Sequence, residues 1–162
     1  MLRIRHVDPQ GADAMALLRE ASADARALYP ESFAASDPSP TNGPLPARGV
    51  YVVAYVDGQP LACGALRPID ASVAELRRMY VRRGHRRQGL ASAVLAHLLG
   101  EARRLGYSRL VLETGHRQLP AMRLYESHGF RRIAPFGDHI DDPTSVCYAR
   151  SIDEDSHADF QG

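Results

Sequence analysis

The 162-residue chain contains no lysine; all 20 of its basic side chains are arginines. Without a lysine amine there is no Schiff base, which excludes aldolase-type and pyridoxal-phosphate chemistry. The Gly-Lys pair of a P-loop is missing for the same reason. Tryptophan is absent, and cysteine occurs only at Cys63 and Cys147. The two thiols have no metal-ligand spacing, so reduced cysteines are expected. No window approaches the run of about 20 apolar residues that a membrane span needs. The N-terminus, MLRIRHVDPQ, lacks the apolar core of a signal peptide. A cytoplasmic protein without a membrane partner is expected.

What is present is unevenly placed. The formal charge is only +1. Residues 77 to 87 (RRMYVRRGHRR) hold six arginines and no acid, whereas residues 138 to 162 hold seven acids against Arg150 alone. The length suits one domain that buries about two-thirds of its unfolded surface. Residues 1–150 read as that domain, and 151–162 as an acidic C-terminal tail.

The hydrophobic pattern orders the elements. Leu2 to Val7 alternates as a strand does. From Asp13, the residues Ala14, Leu17, Leu18, Ala21, Ala25 and Leu28 share one helical face. Residues 36–49 (SDPSPTNGPLPARG) are a proline-rich loop, either functional or a tolerated insertion. Val50 to Val56, Pro60 to Arg67 and Val73 to Val81 read as three strands, the first two joined by the hairpin signal Asp57-Gly58. A long helix follows, with Ala91, Val94, Leu95, Leu98, Leu99, Ala102 and Leu105 as its buried stripe and Gly106 as its stop. Arg109 to Leu112 is a strand, and Pro120 to His128 a helix stopped by Gly129. Arg131 to Ala134 and Ser145 to Arg150 are two final strands. The order β-α-βββ-α-β-α-ββ is an α/β class. Its sheet is mixed and mostly antiparallel, with one local parallel pairing around the long helix.

The junction MYVRRGHRRQGLASAV opens the long helix near Gly89. Its first amides lack intrahelical acceptors and sit at the positive end of the helix dipole, which makes an anion site. Gly89 permits close backbone approach. Arg83, Arg86 and Arg87 add guanidinium forks suited to phosphate oxygens. The bland alternative is an ordinary strand-to-helix turn beside a solvated arginine cluster.

RRQGLA (Arg86 to Ala91) resembles the Arg/Gln-x-x-Gly-x-Gly/Ala signature of the GNAT superfamily of N-acetyltransferases. QLPAMRLYESHGF (Gln118 to Phe130) resembles that family's second signature, Asn-x-x-Ala-x-x-Leu-Tyr-x-x-x-Gly-Phe. ELRRMYV matches its fourth strand, and the resemblance spans residues 2 to 150. LETGHRQ and FGDHIDDPTSVCY resemble a bacterial branch with substrates unassigned. Two departures stand out: Gln118 replaces the usual Asn, and Arg87 replaces a usual glycine.

The resemblance implies the GNAT fold and acetyl-CoA as co-substrate, with its pyrophosphate on Arg83, Arg86, Arg87, Gln88, Gly89, Ala91 and Ser92 and with Gln118 near it. It implies that the Met79 N–H faces the thioester carbonyl and that Val81 pairs with the pantetheine arm, in a slot opened by splaying of the strands. It makes Tyr125 the general acid for the thiolate; without the family, a core tyrosine is the simpler reading. It makes Glu75 the candidate base, eleven residues before Arg86, the offset of the base glutamate in histone acetyltransferases of the superfamily. A salt bridge from Glu75 to Arg77 or Arg67 is the structural alternative, and His116, Glu113 or a water chain could serve as base instead. A homodimer is a family habit.

The remaining histidines (His6, His85, His97, His128, His139 and His157) show no shared ligand spacing, and no metal is expected. Cys63 reads as a core residue, and Cys147 could line an acceptor pocket. Glu31, Asp138, Asp141 and Asp142 either attract a cationic amine or form a solvated acidic face. The function read from these features is transfer of an acetyl group from acetyl-CoA to a small-molecule or peptide amine by direct attack in a ternary complex. A non-catalytic acetyl-CoA-binding regulator of the same fold is the alternative. A nucleic-acid module is disfavoured by the low net charge and few aromatics.

Overall fold

A computed structural model describes residues 1–152. The elements follow in the order β1 (Leu2–His6), α1 (Ala12–Leu28), β2 (Val50–Val56), β3 (Gln59–Pro68), β4 (Val73–Val81), α2 (Leu90–Arg104), β5 (Arg109–Gly115), α3 (Leu119–Ser127), β6 (Arg131–Ile133) and β7 (Ser145–Ser151). The strands form one sheet, β1-β2-β3-β4-β5-β7-β6. Only β4 and β5 pair in parallel, because α2 carries the chain back across the sheet between them. The β2–β3 turn has positive φ at both Asp57 (51°) and Gly58 (82°), the handedness that a tight hairpin requires.

Each sheet face has its own core. Val94, Leu95, Leu98 and Ala102 of α2 pack on Val52, Leu66, Leu76 and Leu112, joined by Tyr125 of α3. On the opposite face, Ala14 and Leu17 of α1 pack on Tyr51, Val53, Cys63 and Ala65. The α1 stripe ends earlier than its periodicity suggests. Leu28 is 40% exposed, and the chain turns so that Tyr29 is buried in its place. Cys63 and Cys147 are free and buried.

The 36–49 segment forms no helix, but it is pinned to the sheet. Asn42 is buried; its amide donates to the Pro9 carbonyl at 2.8 Å and to the Tyr51 hydroxyl at 3.2 Å. Its carbonyl accepts from Arg78 Nε at 3.0 Å. Four hydrogen-bonding valences are otherwise costly to bury, so this contact holds the loop over β2 to β4.

A bulge interrupts β4. Ala65 faces Arg77 and Cys63 faces Tyr80, so Arg78 and Met79 together oppose Gly64. Arg78 adopts φ 61°, as a bulge residue can. The extra residue flips the alternation. Ala74 and Leu76 face the α2 core before the bulge, and Met79 and Val81 face it afterwards. Arg77 and Arg78 consequently open onto the same groove rather than opposite faces. Gly64 makes room for this: a Cβ there would lie 2.7 Å from Met79 Sδ and 2.8 Å from Val94 and Leu98 side-chain carbons. Gly64→Ala is expected to destabilise the protein by about 1–3 kcal/mol. An unchanged urea midpoint would remove the packing argument.

Ordered packing continues past Arg150. Ile152 is 2% exposed, and its N–H bonds the Ser108 carbonyl at 2.9 Å. The expected tail from Asp153 onward lies outside the described residues. Among the described residues, no helix is long and apolar enough to cross a membrane.

Candidate active site

β4 and β5 pair only from Val73↔Arg109 to Leu76↔Leu112. Beyond that step, β4 continues to Val81 and β5 to Gly115 without each other, and the sheet opens between them. The Arg82 N–H bonds the Leu61 carbonyl on the β3 side at 2.9 Å. Alternation along the strand then turns the N–H groups of Val81 and Met79 toward the opening. The Val81 carbonyl accepts from Arg86 Nε at 3.0 Å. The slot expected from strand splaying is therefore present, with Met79 and Val81 on its wall.

At the end of the opening stands the N-terminus of α2. Its N-cap, Gly89, is left-handed (φ 79°), has no side-chain cap, and is followed by no acid in the first turn. The first helical bond runs from Ala93 N–H to the Gly89 carbonyl, which leaves the amides of Leu90, Ala91 and Ser92 without helical acceptors. A Cβ at Gly89 would meet nothing within 4 Å, so the glycine is there for its backbone angle. Arg87 sits at φ 63°, which explains why glycine is usual at that position. Arg87→Gly is expected to stabilise the loop conformation by up to about 1 kcal/mol. A lower melting temperature would show that the side chain matters more than the strain. Gln88 is exposed, Ser92 Oγ lies 3.2 Å from His128 Nε2, and Gln118 is the uncapped N-cap of α3.

Three of the arginines in the cluster hold partners on α1. Arg83 Nη2 lies 2.7 Å and Arg86 Nη2 2.9 Å from the two Asp24 carboxylate oxygens, and Arg82 Nε lies 2.9 Å from Glu20. Burial alone would raise the Asp24 pKa. Hydrogen bonds from Tyr80, Arg86 and Arg83 outweigh it and hold the carboxyl below its ordinary value. Arg83 and Arg86 thus anchor the β4–α2 loop to α1. Arg87 makes no ion pair among the described residues.

The catalytic candidates approach the slot from both sheet faces. Glu75 lies on the α1 side, buried at 4% exposure. Its Oε1 accepts from Arg67 Nε at 2.8 Å and Nη2 at 2.7 Å. The salt-bridge alternative is thus realised with Arg67 and not with Arg77. Glu75 has a second neighbour that spacing could not reveal. His139, on the β6–β7 connection, places Nε2 3.6 Å from Glu75 Oε2 and Nδ1 3.4 Å from Glu113 Oε2. Glu113 also accepts from Ser145 Oγ at 2.8 Å. Cys147 faces Glu113 across β5–β7, and burial pushes its thiol pKa up. His116 lies elsewhere, against the Thr144 carbonyl.

Tyr125 comes from the other face, packed edge-on against Phe130 with ring centroids 5.8 Å apart. Its side chain is 6% exposed. Among the described residues, its hydroxyl has no hydrogen-bond partner, yet no inaccessible side-chain polar atom is left unpartnered. The hydroxyl is therefore the part of the residue that can be reached. Burial, helped by the charge of Glu113, pushes its pKa well above the ordinary 10.

Two other expectations change. Glu31 pairs with Arg117 at 2.6 Å, and Asp142 accepts from the Thr144 amide and hydroxyl, so these two acids already hold partners within the fold. His6 and His97 do converge, with Nε2 atoms 3.1 Å apart and Glu101 beside them. Strand β1 supplies one histidine and α2 the other, which is why spacing gave no sign of the group. Glu101 is already shared with Arg104.

The comparisons agree with this geometry. Residues 13–130 match the model of the acetyltransferase (GNAT) family. An uncharacterised N-acetyltransferase of Bacillus subtilis, YsnE, is 42% identical over 99 residues, covering 59% of this chain and 66% of that protein. The alignments span 32% to 66% of the length of such curated relatives. A Klebsiella pneumoniae protein classed with the acyl-CoA N-acyltransferases superposes with TM-score 0.77 at 28% identity, covering 94% of this chain and 98% of that one. A GNAT family acetyltransferase of Elizabethkingia anophelis, solved with acetyl-CoA bound, shares the fold with TM-score 0.67 at 17% identity, covering 93% of this chain and 97% of that one. With a family match over residues 13–130, this chain belongs to the GNAT acetyltransferase family.

Proposed function

We propose that the protein transfers an acetyl group from acetyl-CoA to an amine by direct attack within a ternary complex. One observation carries this reading. The β4–β5 opening joins an uncapped helix N-terminus at its end to ionisable groups on both sides. The donor set fits the co-substrate. The α2 amides, Gly89 and Arg87 suit a pyrophosphate, with Gln118 beside the opening, and the outward N–H of Val81 suits an amide-bearing arm.

The residues then divide the chemistry. An alkyl amine arrives protonated, since such groups titrate near ~10. The His139–Glu75 pair, steadied by Arg67 and Glu113, accepts that proton. The neutral amine forms the new N–C bond at the thioester carbonyl. The Met79 N–H donates to the oxygen that gains charge, as oxyanion-hole donors do. When the C–S bond breaks, Tyr125 donates its proton to the departing sulfur, the new amide nitrogen sheds its second proton, and that proton returns through solvent to Tyr125.

The first test is ligand linkage. Acetyl-CoA at about 100 times its Kd stabilises by about 2.7 kcal/mol. At about 2–4 °C per kcal/mol for a protein of this size, a rise of roughly 5–10 °C in Tm is expected. No rise at millimolar acetyl-CoA overturns the reading. A rise without CoA release on a broad amine panel would leave a binding protein in place of an enzyme.

A further inference from the structure

We propose that the amine acceptor carries a carboxylate, and that Arg77 binds it: the substrate class is a free amino acid with an apolar side chain. The inference rests on the acetyl-transfer reading and deepens it. Beneath the pinned loop lies a groove of about 340 Å³, lined by Arg67, Arg77 and Arg78 and by Pro44, Leu45 and Ala65 among its apolar walls. No acid lines it. The three guanidiniums differ in what they already hold. Arg67 is committed to Glu75 through two nitrogens, and Arg78 gives its Nε to Asn42. Arg77 is half-buried, and no hydrogen bond or ion pair satisfies it among the described residues.

A half-buried guanidinium whose nitrogens stay accessible and hold no protein acceptor is open to one from outside. Burial, and then the neighbouring charges of Arg67 and Arg78, weaken its hold on its proton. An anion supplied from outside relieves all of these, and a planar carboxylate matches the guanidinium fork with two parallel hydrogen bonds. The position selects which molecule brings it. Arg77 follows Glu75 by two residues, about 7 Å along the strand, at the step where β5 leaves β4. A carboxylate on Arg77 therefore leaves an amine a few ångströms away at the mouth of the slot, beside Glu75 and His139. The groove opens on the sheet face away from α2, so it is separate from the phosphate end. Its volume and its proline and leucine walls suit one apolar side chain.

The test measures CoA release with L-phenylalanine, L-leucine and L-methionine, each against its amide and its decarboxylated amine. The expected result is a kcat/KM at least tenfold higher for the acids, carried mainly by KM. In Arg77→Gln that ratio should collapse by at least tenfold, with Arg77→Lys intermediate because it keeps the charge but loses the fork. An unchanged rise in Tm with acetyl-CoA shows that each variant is folded. Equal use of acids and amides, or an acid preference that survives Arg77→Gln, overturns the assignment and leaves acetyl transfer standing. Acetyl-CoA binding without turnover of any of these amines overturns it as well. Failure to bind acetyl-CoA at all removes both readings.

Discussion

Tyr125→Phe is expected to lower kcat by about 10²- to 10³-fold, the scale of a positioned proton donor, with little change in acetyl-CoA binding or stability. The ring keeps its packing against Phe130 and Tyr148. The hydroxyl bonds none of the described residues, so its removal breaks no hydrogen bond of the fold. Only the departing sulfur loses a donor. The pH dependence is equally specific. Burial raises the Tyr125 pKa above 10, so the acid form persists through neutral and mildly alkaline pH. A free thiol ionises near 8.5, so Tyr125 stays protonated where the sulfur would already be charged. An alkaline limb below pH 10 therefore arises from another group and should remain in the Phe variant. Wild-type kcat in Tyr125→Phe would return the residue to the core role that periodicity alone suggests.

Glu75→Gln and His139→Ala are each expected to cut kcat/KM by about 10²- to 10³-fold. The double variant should be no worse than the more damaging single one, because groups that act as one unit are not additive. The contacts motivate this: His139 stands 3.6 Å from Glu75 and 3.4 Å from Glu113. Gln at 75 can still accept from Arg67, so folding should be largely preserved while the charge is lost. Multiplicative losses in the double variant would separate the two residues into independent roles. Near-normal turnover in both singles would assign deprotonation to solvent.

Much of the site was legible in advance because its parts are local. The left-handed glycine at the head of α2, the unpaired amides behind it and the tyrosine one helical turn after Ala121 are all set within a few residues. The missing glycine at Arg87 was legible as a departure, and its φ of 63° supplies the reason. The partners of the arginines were not legible. Composition shows a basic run, but not that Asp24, 62 positions from Arg86, neutralises part of it.

The sequence by itself determined the order of elements, the β2–β3 turn, the glycine start of α2 and the family. Periodicity, turn chemistry and capping act between neighbours and need no knowledge of the rest of the chain. The tertiary structure alone decided the partners. It joined Glu75 to Arg67, brought His139 between two carboxylates and, among the described residues, left Arg77 without one. Those choices depend on strand register, on the path of the β6–β7 connection and on the single extra residue in β4. That residue reverses which side chains face each side of the sheet. Pairing of this kind is settled only when distant segments close around a common core, where each buried charge must find its counterpart or await one from a ligand.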